Sequence, residues 1–433
     1  MFSAVLLLAA SPVSGQTRRP ERPYRGLFAS GTEAAEQSLT ANVSLAGGYD
    51  DNLRASAGSG GGGGGARAAA GSQGGVLGQL TGALAYSRQS DSFTLSASAQ
   101  SGTRYYPSTE VNFIASSQAQ VALTARLFSR TSLSARAGAV RQPDTFASLF
   151  TGAAVPTIDE MAPVDLDTLS SFDYYLAYDG ALSLQQDVGR RTKVGAIYGY
   201  RRTTGRGERG EFVHQRGGGQ ITHQLGRGLA LRAGYTYGEV KHADGARIPN
   251  HLIDAGVNYN RSLSFSRRTT LSFGTGTAAT HTHDRLRYSL IGDARLNHEI
   301  GRTWTAFAAY SRRVLLHESW QEPVFADAVT AGFGGLINRR WELTTTASAA
   351  LGTVGVDTGG KRFDTYQGSA ALTYSLVRYM NVGLTYAYYH YEADASVVLP
   401  AGFPRAFGRQ SLRATVNLWA PLYQRARRTN ASR

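Results

Sequence analysis

Leu225-Gly226-Arg227-Gly228-Leu229 is the stretch whose reading decides the fold. Glycines on both sides of one arginine mark a chain reversal too short for any other element. Beyond it, Leu229, Leu231, Ala233, Tyr235 and Tyr237 alternate with Ala230, Arg232, Gly234 and Thr236. A period of two over nine residues describes a strand with two chemically different faces. The same arrangement recurs at Phe265-Ser266-Arg267-Arg268-Thr269 and Ile300-Gly301-Arg302-Thr303, and further turns centre on Arg88, Arg130, Arg190, Arg339 and Arg378. Successive spacings are 42, 60, 37, 40, 35, 37 and 39 residues, room for two strands, one tight turn and one longer loop per period. A sheet continued in this way must close on itself or leave long unpaired edges. The expectation is an all-β protein, a closed antiparallel up-and-down barrel. Eight turns join sixteen strands, and 38–49 and 410–423 add one each. The count is therefore about 18, with 16 as the alternative.

The chemistry of the two faces says what surrounds the barrel. Ala119, Val121, Leu123, Ala125 and Leu127 alternate with Gln120, Ala122, Thr124 and Arg126, and Phe93, Leu95, Ala97 and Ala99 with Thr94, Ser96, Ser98 and Gln100. An apolar outside and a small or polar inside is the pattern of a barrel in lipid enclosing water. A soluble sandwich or propeller would bury its bulky apolar face instead. The 23 tyrosines, many near strand ends (Tyr105, Tyr106, Tyr174, Tyr175, Tyr198, Tyr200, Tyr386, Tyr388, Tyr389, Tyr391), suit interfacial girdles. No run approaches the ~18 apolar residues of a spanning helix. The chain has no cysteine, which removes thiolate chemistry, iron–sulfur ligation and cysteine-based zinc sites.

The formal charge of +14 is unevenly spread. The turns, Arg18 to Arg25 and the tail 424–433 hold 19 of the 45 basic residues and one acid, Glu21. What remains is slightly acidic. Arginines recurring at strand ends fit a headgroup zone, where they reach water or phosphate. A nucleic-acid binder would gather them on one face with aromatic partners, so no nucleic acid is expected. At the start, Val5-Leu6-Leu7-Leu8-Ala9-Ala10 followed by Val13-Ser14-Gly15 reads as a secretory signal, residues 1–15, although no Lys or Arg precedes the apolar run. The expected order is then an N-terminal segment 16–37 on the periplasmic side, the barrel 38–423 and a basic tail 424–433.

Gly47-Gly48-Tyr49-Asp50-Asp51-Asn52-Leu53 closes the first strand, and Leu412-Arg413-Ala414-Thr415-Val416-Asn417-Leu418-Trp419-Ala420-Pro421-Leu422 belongs to the last. Both resemble the opening and closing segments of the putative outer-membrane β-barrel porin type 2 family. The match between them is one of rhythm over roughly residues 38 to 423. The resemblance implies a Gram-negative outer-membrane barrel, with some relatives associated with exopolysaccharide gene clusters. It supplies no substrate. The tail departs from the many barrels that end on an aromatic residue; Tyr423 and Trp419 are the candidates for that role.

No catalytic constellation emerges. His281-Thr282-His283-Asp284 offers two histidines on one side of a strand end, but they fall in an outer loop with no supporting partner evident, so no metal is expected there. Asp50 and Asp51 are adjacent, so on a strand they point to opposite faces and cannot share a proton. No enzyme activity, metal or cofactor is expected. Alternation makes Arg126, Arg136, Arg232, Arg295 and Arg413 candidates for the lumen. The third long loop, 142–171, carries Asp159, Glu160, Asp165 and Asp167, which could narrow the pore opposite a basic wall. The first reading is a porin-like channel for hydrophilic solutes or an anionic polysaccharide. The alternatives are a structural or adhesive barrel with a plugged lumen, and an outer-membrane hydrolase using Asp50, Asp51 or His281. Expected partners are outer-membrane lipid, lipopolysaccharide, the barrel assembly machinery and polysaccharide. The oligomeric state is not legible.

Overall fold

A computed structural model describes residues 26–30, 35–52, 74–107, 113–145, 169–205, 211–242, 245, 247–264, 266–282, 285–315, 324–354, 362–397 and 405–426. The strands are β1 (Ala35–Asp50), β2 (Gly75–Gln89), β3 (Phe93–Tyr105), β4 (Phe113–Phe128), β5 (Thr131–Thr145), β6 (Leu169–Asp187), β7 (Thr192–Gly205), β8 (Glu211–Gly226) and β9 (Leu229–Lys241). They continue as β10 (Arg247–Leu263), β11 (Ser266–Thr282), β12 (Arg285–Ile300), β13 (Trp304–Leu315), β14 (Val324–Leu336), β15 (Trp341–Val354), β16 (Arg362–Val377), β17 (Met380–Ala393) and β18 (Ala406–Ala426). Each pairs antiparallel with its chain neighbours, and β1 pairs with β18 from Ala35–Ala426 to Asp50–Ser411. The result is a closed 18-stranded antiparallel up-and-down β-barrel with no helix among the described residues.

Directly opposed residues on neighbouring antiparallel strands share a face. A face chosen on β1 can therefore be carried from ladder to ladder around the ring. Leu45 opposes Leu80, Gly78 opposes Tyr105, and Tyr105 opposes Phe113. After β18 the assignment returns to β1 unchanged, where Asp50 meets Ser411 and Ala46 meets Thr415. In a single closed sheet, only the concave side can enclose a side chain. The fully buried large side chains borne by strands, Asp50, Leu77, Arg104, Ile114, Val324, Phe363, Tyr391 and Phe407, all fall on one face. That face is the inside. The other bears Val43, Leu45 (60% exposed), Leu80, Leu84, Tyr178, Leu182, Tyr235, Leu290, Leu384 and Leu418, an apolar jacket that water would not tolerate and acyl chains would.

The eight tight turns fall at one end of the barrel, where the sequence places them. Two of the eight arginines sit differently: Arg88 lies inside β2 and Arg267 inside β11. The β2–β3 reversal is made at residues 90–92, where Ser90 N–H donates to Phe93 O at 2.8 Å. At β14–β15, Asn338 Oδ1 accepts from the N–H groups of Arg340 (2.8 Å) and Trp341 (2.9 Å), a side chain standing in for a backbone turn. Gly228 adopts φ +87°, and a Cβ there would lie 2.6 Å from Asn260 O, whose own N–H donates to Gly228 O. Gly228→Val is expected to cost about 1–3 kcal/mol, read as a lower urea midpoint of the folded barrel in vesicles.

The strands extend beyond the expected bounds 38 and 423, because Gln37 pairs with Arg425 and Ser38 with Gln424. The first residues of the expected basic tail are therefore wall. Residues 26–30 cross this end: Leu27 N–H donates to Arg339 O (3.0 Å), Ala29 N–H to Arg378 O (2.9 Å), and Arg378 Nε to Ser30 O (2.7 Å). Arg378 thus ties down chain rather than reaching for headgroups. The tyrosine reading also needs correction. Tyr198, Tyr386 and Tyr388 face outward, but Tyr175, Tyr389 and Tyr391 occupy inner positions and are buried. Sequence placed them near strand ends without settling which face each takes. Trp419 is inner and buried too, which leaves Tyr423, outward and exposed, in the terminal aromatic position.

Candidate channel lining

Arg126, Arg136, Arg232, Arg295 and Arg413 all occupy inner-face register positions. The ladders add arginines that alternation alone did not single out. Arg201 opposes both Asp179 and His214, Arg216 opposes Gly199 and Gly238, and Arg313 opposes Ala326. Strand β7 hid its inner face because Ile197, on the inside, and Arg202, on the outside, blur the polar–apolar alternation. In β8 the run Gly217-Gly218-Gly219 erases it.

Above the tight-turn rim, where Arg126, Lys193, Asp187, Glu299 and Glu342 also take inner positions, the described inner side chains comprise seven unburied arginines (Arg136, Arg201, Arg216, Arg232, Arg295, Arg313 and Arg413) against three aspartates, Asp179, Asp254 and Asp293. Their charge is confined to β5–β13 and β18. The inner residues of β14–β17 between the rims are small, hydroxylic, amide or aromatic.

Local packing holds these guanidinium groups close to the wall. Arg232 meets Asp254 on the next strand as an ion pair: NH2 donates to Oδ1 at 3.1 Å, and Nε lies 2.6 Å from Oδ2 without hydrogen-bond geometry. Arg295 donates from Nε to Asn297 Oδ1 at 2.9 Å and lies 4.7 Å from the Phe307 ring centre. The Phe307 ring in turn covers Gly332, where a Cβ would come within 2.2 Å of it. Arg216 rests over Gly199, its Nε 2.9 Å from where a Cβ would stand. Glycine opposite arginine lets the long side chain lie flat and keeps the lumen wide.

At the end with long connections, the inner wall is buried on one side. Val324, Ala326, Ala328, Ala350, Val354, Phe363, Tyr389, Tyr391, Ala393, Val397 and Phe407 form a continuous buried cluster over the inner mouth of β14–β18. At the same level, Arg104 donates to Gln79 Oε1 (2.7 Å from NH2) and to the Tyr106 hydroxyl (3.1 Å).

The Gly-Tyr-Asp-Asp-Asn segment has a structural task that the sequence did not disclose. Asp50, 0% exposed, accepts from Arg409 of β18, itself 3% exposed, with Nε to Oδ2 at 2.7 Å and a second contact from NH2. Its other oxygen accepts from Asn52 N–H at 3.1 Å, and Asn52 Nδ2 donates to Gly408 O at 2.9 Å. Asp51 points the other way and accepts from Gln410 N–H at 2.7 Å. Gly48 leaves no room for a side chain, since a Cβ would stand 2.4 Å from Leu412 O. The motif fastens β1 to β18 where the barrel closes.

Asp159, Glu160, Asp165 and Asp167 lie outside the described residues, as do His283 and Asp284. The backbone of His281 and Thr282 ends β11.

No protein-family model matches this chain, and no curated protein matches it in sequence. Among solved structures, it is similar to OpdQ of Pseudomonas aeruginosa at 9% identity, covering 89% of this chain and 98% of that one with a TM-score of 0.44. It is similar to the FrpB iron transporter of Neisseria meningitidis (10% identity, 89% and 81% covered, TM-score 0.44) and to the siderophore receptor PirA of P. aeruginosa (8%, 88% and 80%, TM-score 0.42). These likenesses are of fold alone.

Proposed function

We propose that the protein is an outer-membrane channel that passes small hydrophilic solutes and favours anions, with its tight turns in the periplasm and its long loops outside the cell. The supporting observation is the imbalance of seven arginines over three aspartates on the inner wall between the rims. In a water-filled lumen with low-dielectric walls, such an excess raises the local concentration of anions. An anionic polysaccharide is the larger cargo that the same wall would suit. Lipopolysaccharide around the jacket and the barrel assembly machinery are the partners this reading carries. The acidic residues of the third loop remain its candidate constriction.

The purified protein in a planar bilayer under a KCl gradient should conduct, with a reversal potential on the chloride side. The buried cluster over the mouth of β14–β18 favours a second reading, a structural barrel with a plugged lumen. Folded protein that never conducts would support that reading and end the first.

A further inference from the structure

We propose that the inner wall of β5–β8 carries a binding site for a doubly charged tetrahedral oxyanion, a phosphate group, with Arg136 and Arg216 as its sides and Ala181 and Gly199 as its floor. The proposal deepens the channel reading and rests on it, because it names the class of anion that the arginine wall selects.

One transverse row of the barrel carries the site. From β4 to β9, Ala122, Arg136, Ala181, Gly199, Arg216 and Gly238 oppose one another in turn. Each arginine of the row therefore stands between two small residues. Elsewhere on the wall a neighbouring side chain engages the arginine: Asp254 for Arg232, Asn297 and Phe307 for Arg295. Arg216 crosses from β8 onto β7, its Nε 2.9 Å and its Cγ 3.2 Å from where a Cβ of Gly199 would stand, and Gly199 is buried beneath it. Arg136, exposed to the lumen, faces it from β5. Neighbouring strands lie about 4.8 Å apart, so the floor between the two arginines is only the width of β6 and β7. The two guanidinium groups are near enough to repel each other. In the next inner row toward the long loops, Arg201 opposes both Asp179 and His214, and His214 stands in the field of Arg201 and Arg216. The Asp179 carboxylate leans over Gly138 of β5, its Oδ1 2.9 Å from where a Cβ would stand. Three arginines less one aspartate leave an excess of two positive charges around the floor.

Like charges fixed close together on a rigid sheet repel, and an anion seated between them turns that cost into attraction. A phosphate group suits the place because its oxygens accept several hydrogen bonds at once, and each guanidinium offers several N–H donors in a planar fork. A halide has one charge and no such directed acceptors. The small floor has its own part: with no side chain beneath it, the Arg216 guanidinium lies low across the row and turns toward Arg136.

The test uses the full chain, with folding verified by heat-modifiable gel migration, and two probes, inorganic phosphate and a hexose monophosphate, at constant ionic strength. Phosphate should lower the chloride current saturably, and Arg136→Gln or Arg216→Gln should weaken that block about tenfold. Arg302→Gln, which removes a charge at the tight-turn rim, should leave the block as in the parent. Gly199→Val separates a built site from bulk charge. It keeps every arginine, but its side chain lifts Arg216 off the floor, so the block should weaken about tenfold again. Block by the inorganic ion alone would mark the free ion as the ligand; block by both probes would mark the phosphate group of a larger solute. Block that never saturates, or that is equal in the parent and in folded Arg216→Gln and Gly199→Val proteins, would overturn the proposal. Equilibrium binding of radiolabelled phosphate to the protein in vesicles needs no conduction. Arginine-dependent binding by a protein that never conducts would sink the channel reading and keep the site, while a protein that conducts and binds no phosphate would sink the site alone.

Discussion

Arg409→Met is expected to cost the barrel about 3–5 kcal/mol, because it leaves the Asp50 carboxylate buried without its cation. Neither group has water to fall back on: Asp50 is 0% exposed and Arg409 3%. The pair sits on the β1–β18 ladder, the one joint made between the two ends of the chain. Ladders between chain neighbours bring together residues already held close by a turn. The closing ladder has no such help, so its register needs a specific contact. Asp50→Leu alone should also be damaging, since it removes the carboxylate that the buried guanidinium engages. Joining the two substitutions should recover most of the loss, because well-packed apolar residues often replace a buried ion pair at little cost. Recovery will not be complete. Asn52 N–H loses its acceptor, at about 1–3 kcal/mol. The measurement is the urea dependence of gel migration and tryptophan fluorescence for the four proteins folded into vesicles. Additive losses in the double variant would mean that the two residues act separately and that the joint is held by the ladder alone.

The architecture was legible because its signals are local and repeated. Each arginine turn and each alternating run can be recognised without knowing what it pairs with; eight turns account for sixteen strands, and the runs 38–49 and 410–423 bring the expectation to eighteen, the number found. Faces were legible only where alternation is clean. Arg232 and Arg136 are flanked along their strands by outer leucine, alanine and tyrosine (Leu231, Ala233 and Tyr235; Leu133, Ala135 and Ala137), so their inward placement could be read. Arg201 and Arg216 could not, because Ile197 takes an inner position and triple glycine has no sidedness. Tyr389 and Tyr391 look like girdle residues in sequence; their register with Gln367 and Thr365 puts them inside. The Asp50–Arg409 pair was beyond sequence for a different reason. Its partners are separated by 359 residues, and only closure of the barrel brings them together.

Substituting Arg136, Arg201 and Arg216 together by glutamine should abolish the anion preference and carry the reversal potential to zero or to the potassium side. These three stand on β5, β7 and β8, with Asp179 of β6 among them. Removing them leaves four arginines against three aspartates between the rims. Arg232 is already matched by Asp254 at 2.6 Å, so the field of the remainder nearly cancels. Charge excess in a narrow aqueous lumen changes counter-ion concentration by about tenfold or more, and the chloride-to-potassium permeability ratio should fall by about that factor. Raising the salt should shrink the difference, because the Debye length drops to about 3 Å at 1 M and screens wall charge from passing ions. Glutamine keeps length and hydrogen-bonding capacity, so conductance itself should change little. Two controls isolate the cause. Arg104→Gln removes a buried arginine already engaged by Gln79 and Tyr106, and should leave selectivity alone. Asp254→Asn releases Arg232 from its partner and should move the reversal potential further toward chloride. A triple variant that folds, conducts and keeps the parent's reversal potential would show that ions do not pass along β5–β8, and that the arginine-rich wall is not the path.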